Sequence, residues 1–446
     1  MNMSNNKHFV IKEYNYIGIK ESSNKSNAVY DSEGNVYIRQ KLFDKIEEYV
    51  LKNKEENDDQ INEIMMLTQK KNIGKILKAK NYVGLIQIPN NITIEILPKI
   101  NKVENDFNKT KRIFINMIKT LKNMPFKTYN KSSLTLDKLP LIDVFIDMFL
   151  LELEKLVRKG IKADYKTITE NRNLLKGKLK INKHIKKNSM HKEKFFVEYD
   201  DYLKDIVENR IIKTTLHKLI NISNTNYIQK KILKFLHLFD SVDNCYNIRN
   251  DIKQCSLDRT MNHYELVLRW CEIFLNNQSF TNFKGNGEAY ALLFPMEKVF
   301  ESYITNLIKK SDMFNMYEIK TQVQEQYLIE RPTNKFLLKP DLLLKGEKII
   351  IMDMKWKLLR LDERNYGISQ SDIYQMFAYA KKYDSKDIFL LYPITENITF
   401  NDQYRRDFID TFRFQYDCKI TLHLFFIDLK KPKESINLLA ERINDI

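Results

Sequence analysis

Alternating apolar residues in the first hundred positions predict β-strands, with one helix among them. Val36–Ile38 has the composition of a short strand, and the apolar spacing within Lys41–Val50 is helical. The runs Gly84–Ile88 and Ile92–Ile96 are rich in β-branched residues and flank a turn-forming Pro-Asn-Asn sequence at positions 89–91. This pattern predicts a β-hairpin.

The middle third of the sequence has apolar residues mainly at helical spacing. Gly160 lies just beyond the basic end of one such segment, where a helix is expected to stop. A basic and polar stretch, Thr169–Asn182, and a short predicted strand, Phe195–Val197, interrupt the helices. The predicted helices are Thr110–Lys122, Leu139–Lys159 and Asp205–Ile220, with more helices through Leu275.

From Ala289 onward the pattern changes again. A helix is predicted over Ala291–Lys309, followed by three strand-like apolar runs. The later elements are a helix at Ser371–Tyr383, strands at Ile388–Tyr392 and Ile420–Ile427, and a short terminal helix. This order predicts an α/β core with a mixed central sheet flanked by helices.

The whole chain is therefore expected to be α/β (α+β overall) and to have three parts. Residues 1–108 form a small β-containing domain, residues 109–285 form a mostly helical region, and residues 286–446 form the α/β core. With only 10 Gly and 9 Pro in 446 residues, flexible linkers between these parts are not expected.

Composition adds information about partners. The net charge of +16 favours polyanions, because each neutralised phosphate releases counterions, although a lysine-rich solvated surface explains the charge equally well. The four cysteines lie far apart with no CxxC pair, which argues against a zinc site and against a disulfide framework.

Two further patterns concern location. The first ten residues lack the apolar stretch of a secretory signal. The most apolar segment, Leu139–Val157, contains Asp143, Asp147, Glu152 and Glu154, and so it is not expected to span a membrane. The sequence thus predicts a cytoplasmic protein with no membrane partner.

The candidate chemistry lies in the segment 336–357. Two apolar runs flank a Lys-Gly-Glu turn and predict a hairpin, with Asp341 on the first strand and Asp353 and Lys355 near the end of the second. Residues i and i+2 of a strand share one face, so Asp353 and Lys355 are expected to project together while Met354 points the other way.

Two acids beside a lysine suggest a metal site. Strand interiors are depleted in Asp, and buried carboxylates need a partner or a metal. Mg²⁺ is commonly held by one or two carboxylates plus water and substrate phosphate, and Lys355 would then orient the nucleophile or neutralise the phosphate. The alternative is a surface Asp–Lys pair at a strand end.

Two helices supply further candidates. Glu301, on the helix before the sheet, is predicted to reach the metal as a third carboxylate, or else is an ordinary solvated glutamate. Gln375 and Tyr379 are four residues apart and share a helix face. They would contact the DNA strand or support the metal ligands; alternatively, they are a polar cap on a packed helix.

These residues resemble a known family. Pro340-Asp341 followed by Asp353-Met354-Lys355 is similar to the PD-(D/E)xK nuclease pattern, and Gln375 with Tyr379 resembles the QxxxY element of its RecB-like branch. A wider resemblance, over most of the chain, is to McrC, the nuclease subunit of McrBC modification-dependent restriction systems. It includes Ile94–Ile100, Asn171-Arg172, Leu179, Phe196–Asp200, Asn209–Lys213, Phe300–Tyr303 and Asp372–Tyr379.

The McrC resemblance implies that the C-terminal mixed sheet, flanked by helices, has a restriction-endonuclease-like fold. It also implies a DNA endonuclease that uses Mg²⁺ and could use Mn²⁺ instead. It implies catalytic roles for Asp341, Asp353, Lys355, Glu301, Gln375 and Tyr379, with metal contacts from the three acids. It also implies double-stranded DNA as substrate and McrB, a hexameric AAA+ GTPase, as a partner that docks the N-terminal region. Since double-strand cleavage needs two cuts, a second copy of the chain is expected at the DNA.

The absence of one motif agrees with a GTPase on a separate partner chain. The sequence contains no GxxxxGK[ST] phosphate loop, so any NTPase is expected on another chain. Two rival functions are a stand-alone RecB-like nuclease that acts on DNA ends, and an adaptor with a silent nuclease fold that activates an AAA+ ring.

Overall fold

The computed structural model describes residues 7–20, 28–56, 64–88, 92–100, 107–121, 125, 139–191, 193–223, 225–255, 262–275, 290–359, 363–394, 408–415 and 417–446. These residues form eleven α-helices and twenty strands. The chain forms two compact units. The first contains residues 1–141 and 279–446, and the second contains residues 142–278. The fold class is α/β with mixed sheets, as predicted.

The first unit begins with a five-stranded sheet. Its strand order is β3-β4-β2-β6-β5. The predicted strand at 36–38 and the predicted helix after it are both present, the latter as α1 (Gln40–Glu56). The strands are β2 (Tyr16–Ile19), β3 (Ala28–Tyr30), β4 (Val36–Ile38), β5 (Met65–Lys70) and β6 (Gly74–Ala79).

A four-stranded sheet contains strands from both sequence segments of this unit, residues 1–141 and 279–446. Its strands are β1 (His8–Lys12), β8 (Ile92–Leu97), β7 (Tyr82–Ile88) and β12 (Tyr290–Pro295), in that order. The predicted hairpin is confirmed as the antiparallel pair β7–β8; its Pro-Asn-Asn turn lies outside the described residues. Gly84 is required here, because a Cβ at this position would lie 2.0 Å from the carbonyl oxygen of Leu292.

Strand β12 corrects one prediction. The segment Ala291–Lys309 was expected to be a single helix, but its first residues pair with β7 and only Met296–Lys310 is helical (α9). The run Ala-Leu-Leu-Phe is fully buried, and an apolar run of this length fits a buried strand as well as a helix. Pro295 precedes α9 in an extended conformation and separates the two elements.

The second unit consists of helices and one small sheet. The sheet has the order β10-β11-β9, so part of the basic stretch Thr169–Asn182 is strand. Among the acids of the apolar helix α3, Asp143 accepts a hydrogen bond from Ser223 (2.6 Å), and Asp147 pairs with Lys231 (2.6 Å). The elements are α3 (Leu141–Lys159), β9 (Asp164–Arg172), β10 (Lys178–Leu179), α4 (Ile181–Asn188), β11 (Phe195–Leu203), α5 (Val207–Ile222), α6 (Asn226–Leu238), α7 (Ile248–Gln254) and α8 (Asn262–Leu275).

A six-stranded mixed sheet dominates the C-terminal part of the first unit. Its order is β13-β16-β17-β18-β20-β19, with β17, β18 and β20 parallel to one another. Helices α9 and α10 pack against β17, and the core lies between α10 and the sheet. The strands are β13 (Glu318–Thr321), β16 (Leu342–Lys345), β17 (Ile349–Met354), β18 (Asp387–Pro393), β19 (Phe408–Phe414) and β20 (Asp417–Ile427). The remaining helices of the first unit are α2 (Phe107–Ile118), which contacts β8 and α9, and α10 (Gln370–Tyr383) and α11 (Pro432–Asn444) in its C-terminal part.

The predicted hairpin at 336–357 needs a smaller correction. Strands β16 and β17 pair antiparallel as expected, but β16 begins only at Leu342. Phe336 and Leu337 belong to a separate two-stranded sheet of β14 (Tyr327–Ile329) and β15 (Lys335–Leu337). Asp341 therefore lies immediately before its strand, and Lys355 immediately after its own.

The two compact units do not test the predicted three-part division, which assigns roles to segments and stays a prediction. Within the described part of the chain, no helix is long and apolar enough to cross a membrane.

Candidate active site

Asp341, Asp353 and Lys355 converge at one end of the β16–β17 hairpin. Leu342 pairs with Met352, so the residues just beyond this pair, Asp341 and Asp353, lie side by side. The Asp353 carboxylate is 2% exposed and lies 2.6 Å from the ammonium of Lys355. The hairpin thus brings two acids and a lysine together, as the strand periodicity predicted.

The backbone holds this end of the hairpin in place. The Met354 amide donates a hydrogen bond to Asp341 Oδ2 at 2.7 Å, which ties the first acid to the strand that carries the second. The Lys355 amide donates to the Leu391 carbonyl at 2.9 Å, so pairing with β18 continues past the end of β17. Asp353 therefore lies on a central strand of the sheet, and Asp341, just before β16, is hydrogen-bonded to that strand.

The two acids are electrostatically unfavourable neighbours. Burial, followed by the charges of Asp353 and Glu301, raises the pKa of Asp341 to about 8. Burial also raises the pKa of Asp353, against the opposing effect of Lys355. Burial acts against the charge of Lys355, but the adjacent Asp353 outweighs it and raises the lysine pKa. Such a group of acids favours an added cation.

Glu301 lies near the acids without joining them in a closed ligand set. Its charge contributes to the raised pKa of Asp341, which places it in their electrostatic neighbourhood. Its carboxylate accepts a hydrogen bond from Gln322 Nε2 at 2.9 Å. Among the residues that the structure describes, no three His, Cys, Asp or Glu side chains are grouped as ligands for a metal ion.

Gln375 and Tyr379 both face the acidic cluster from α10. Gln375 Oε1 accepts a hydrogen bond from Lys355 Nζ at 3.0 Å, and its Nε2 donates to the Tyr379 hydroxyl at 2.7 Å. That hydroxyl donates to the Lys339 carbonyl at 3.1 Å, two residues before Asp341. The pair therefore supports the lysine and the backbone leading to the first acid, which is more than a polar cap.

The sequence reasoning did not assign a role to Lys357 and Asp372. Lys357 Nζ lies 2.6 Å from Asp372 Oδ2 and 3.2 Å from Ser369 Oγ. Asp372 is buried in the first turn of α10, and its charge helps to raise the pKa values of Asp353 and Lys355. The only sequence signal was the recurrence of lysine at i+2 after Lys355.

Comparisons with known proteins agree on one system. A family model described as McrBC 5-methylcytosine restriction system component matches residues 77–393. One solved structure, the half-complex from a tetradecameric assembly of Thermococcus gammatolerans McrB AAA+ hexamers with bound McrC, is 17% identical with a TM-score of 0.69; the match covers 97% of this chain and 100% of that one. A second, the cryo-EM structure of the Thermococcus gammatolerans McrBC complex, is 16% identical with a TM-score of 0.46 and covers 68% and 87%. No curated protein sequence matches.

The fold and the family match together define a component of a restriction system. Because the family model covers more than half of the sequence, the chain belongs to the McrBC 5-methylcytosine restriction system component family. The likeness to the first solved structure extends over nearly the whole chain and shows that the fold is shared. The resemblance to McrC predicted from the sequence is thereby confirmed.

Proposed function

We propose that this chain is the metal-dependent DNA endonuclease subunit of a modification-dependent restriction complex. The observation that carries the proposal is the convergence of Asp341, Asp353 and Lys355 at the end of β17. Restriction of DNA requires hydrolysis of phosphodiesters, and paired carboxylates beside a lysine are suited to that reaction.

The donor set fits a magnesium ion in part. Asp341 and Asp353 are adjacent oxygen donors whose buried charges repel each other, as expected where a hard cation would neutralise them. Glu301 would serve as a third ligand only after its carboxylate leaves Gln322. When bound, Mg²⁺ or Mn²⁺ would lower the pKa of a water molecule and neutralise phosphate charge.

Lys355 supplies the positive charge of this chain at the reacting phosphate. Its ammonium is placed by Asp353 at 2.6 Å and by Gln375 at 3.0 Å, and it is only partly exposed. The raised pKa keeps it protonated at neutral pH, so it acts as a charge and hydrogen-bond donor rather than as a base. The Tyr379 hydroxyl donates a hydrogen bond to the Lys339 carbonyl and so holds the backbone that leads to Asp341 and β16.

We also propose an AAA+ GTPase hexamer as the partner, with double-stranded DNA as substrate and a second copy of this chain at cleavage. The sequence has no phosphate loop of its own, and the protein of similar fold from T. gammatolerans is bound to McrB AAA+ hexamers. The net charge of +16 favours the DNA polyanion. The N-terminal residues 1–108 are the proposed docking region.

Replacing Gln375 tests the support of Lys355. Gln375→Leu keeps a branched side chain, one atom shorter, and removes both hydrogen bonds of Gln375, so Lys355 loses one of its two anchors. We expect the cleavage rate to fall by roughly 10- to 100-fold with little change in DNA binding, because misplacement by about 1 Å costs that much. Gln370→Leu is the matched control, since Gln370 is exposed on the same helix and bonds Tyr374. Equal activity of both variants would remove Gln375 from the site.

Replacing Asp341 tests the proposed metal site through the thermal stability of the protein. The pKa of Asp341 is raised from 3.8 to about 8, so the folded protein keeps a proton that the unfolded chain releases. Without metal, this group makes the fold progressively less stable as the pH rises between these values. Asp341→Asn should flatten that dependence and also lose most of the thermal stabilisation by Mg²⁺ or Mn²⁺. Thermal unfolding at about pH 5 and about pH 8, with and without cation, measures both effects.

An unchanged metal-dependent shift of the melting temperature in Asp341→Asn would show that the cation binds elsewhere. Glu347→Gln serves as the control, because this acid lies in the turn at the opposite end of the same hairpin and is exposed.

A further inference from the structure

Glu13 is a buried carboxylate that the proposed reaction does not use. Its side chain is 0% exposed, and burial raises its pKa to about 8, although hydrogen bonds from Trp356 and Lys99 and the charge of Lys99 oppose this. The charge of Glu297 on α9 acts in the same direction as burial. A carboxyl group kept in such a place requires a specific partner.

That partner belongs to the catalytic segment. The Trp356 indole Nε1 donates to Glu13 Oε2 at 2.9 Å and to Oε1 at 3.2 Å. Trp356 follows Lys355 directly in the chain and is 4% exposed. Its ring also packs on Phe300, 5.4 Å between centroids, and Phe300 precedes Glu301. The indole therefore belongs to the residue next to Lys355 and packs on the residue next to Glu301.

The other side of the contact is anchored in the N-terminal sheets. Glu13 follows strand β1, and its amide donates to the Leu97 carbonyl at 2.9 Å, at the end of β8. The next residue, Tyr14, has a left-handed backbone conformation (φ 63°). Its backbone amide donates a hydrogen bond to the Ala79 carbonyl, at the end of β6, at 3.1 Å. Lys99 N donates to Glu13 Oε1 at 3.2 Å. Glu13 thus sits at the corner where the four-stranded and five-stranded sheets meet.

From this arrangement we infer that Glu13 is a positioning residue for the nuclease site. Its carboxyl group accepts a hydrogen bond from Trp356, and this bond links the N-terminal sheets to the segment that carries Lys355. The inference rests on the proposed function and extends it to a residue 342 positions away from Lys355 in the sequence. Without the acceptor, the buried indole N–H loses its partner, and the ring must shift to reach another. Such a shift moves Lys355 relative to Asp353.

The test compares two substitutions of the same residue. Glu13→Gln keeps an oxygen acceptor and nearly the same shape, whereas Glu13→Ala removes the acceptor. We expect Glu13→Ala to lower the cleavage rate by about 10- to 100-fold, and Glu13→Gln to stay within about 3-fold of the parent. Trp356→Phe should match Glu13→Ala, and the double variant should be no worse than either single one. Glu297→Ala, an exposed acid close to Glu13, is the control and should stay near parental activity.

A fluorescence readout separates positioning from general stability. The chain has two tryptophans, so in a Trp270→Phe background the emission reports Trp356 alone. We expect Glu13→Ala to shift this emission in the folded protein, because the indole N–H loses its acceptor, while Glu13→Gln leaves it near the parental position. An unshifted emission in folded Glu13→Ala, or cleavage at the parental rate per folded molecule, overturns the inference.

The same experiment distinguishes failure of the inference from failure of the proposed function. If the parent cleaves no DNA with any divalent cation or partner, the nuclease proposal fails. The Trp356 emission and the affinity for Mn²⁺, measured by its thermal stabilisation of each variant, still report whether Glu13 holds the segment. Identical emission and identical Mn²⁺ affinity in Glu13→Ala and Glu13→Gln overturn the inference in that case too.

Discussion

Lys355→Met is expected to abolish DNA cleavage by the complex, with a loss on the order of 10³-fold or more. Methionine retains much of the apolar stem but removes the ammonium that lies 2.6 Å from Asp353 and 3.0 Å from Gln375. Without this charge, the developing negative charge on the phosphate loses the ammonium that is held beside Asp353. Cleavage of modified DNA in the presence of the partner, GTP and Mg²⁺ measures the loss.

The matched control for this result is Lys345→Met. Lys345 is exposed at the far end of strand β16 of the same hairpin, so the substitution changes the net charge equally without reaching the site. Partner binding and GTPase stimulation should persist in both variants, which separates loss of chemistry from loss of assembly. Retained cleavage in Lys355→Met would falsify the assignment of this lysine.

The chain alone is expected to cut DNA very slowly, with a gain of at least 10²-fold when an AAA+ GTPase partner and GTP are added. The described arrangement supports this expectation. Asp353 is neutralised by Lys355 and Glu301 is bonded to Gln322, so the three acids do not form a ready ligand set. We therefore propose that these side chains shift before cleavage and that the partner is the source of that shift.

The measurement is a time course of cleavage of methylated and unmethylated duplexes by the purified chain, with the partner, GTP and Mg²⁺ each omitted in turn. A non-hydrolysable GTP analogue provides the control for binding without turnover. Rapid degradation of linear DNA by the chain alone would instead support the stand-alone nuclease. GTPase stimulation without cleavage under any cation would support the silent adaptor.

Local patterns predicted those features that depend on neighbouring residues alone. Asp353 and Lys355 share a face because strand side chains alternate with a period of two, and this holds in any sheet. The hairpins at 84–96 and 342–354 follow from apolar runs around turn sequences, and the structure contains both. Gln375 and Tyr379 share a face because the helical period places residues four apart on one side.

Other features had no local signature. The run beginning at Ala291 is apolar enough for either a helix or a buried strand, and only pairing with β7 decided between them. Phe336 was assigned to the hairpin that carries Asp341 and Asp353 because apolar residues continue through it, yet it lies in a separate sheet with β14. Strand β19 escaped prediction, and its register along β20 is irregular.

By itself, the sequence determined that two acids and a lysine would meet at the end of one strand pair, because both the periodicity and the turn are local properties. The tertiary structure decided what holds them. Gln375 reaches Lys355 across 20 positions, and Glu13 reaches Trp356 across 343, over distances where no periodicity relates the partners. Gln375 reaches Lys355 because α10 packs against β17, and Glu13 reaches Trp356 because the fold brings the end of β1 to the segment that follows β17. Both contacts depend on the whole fold.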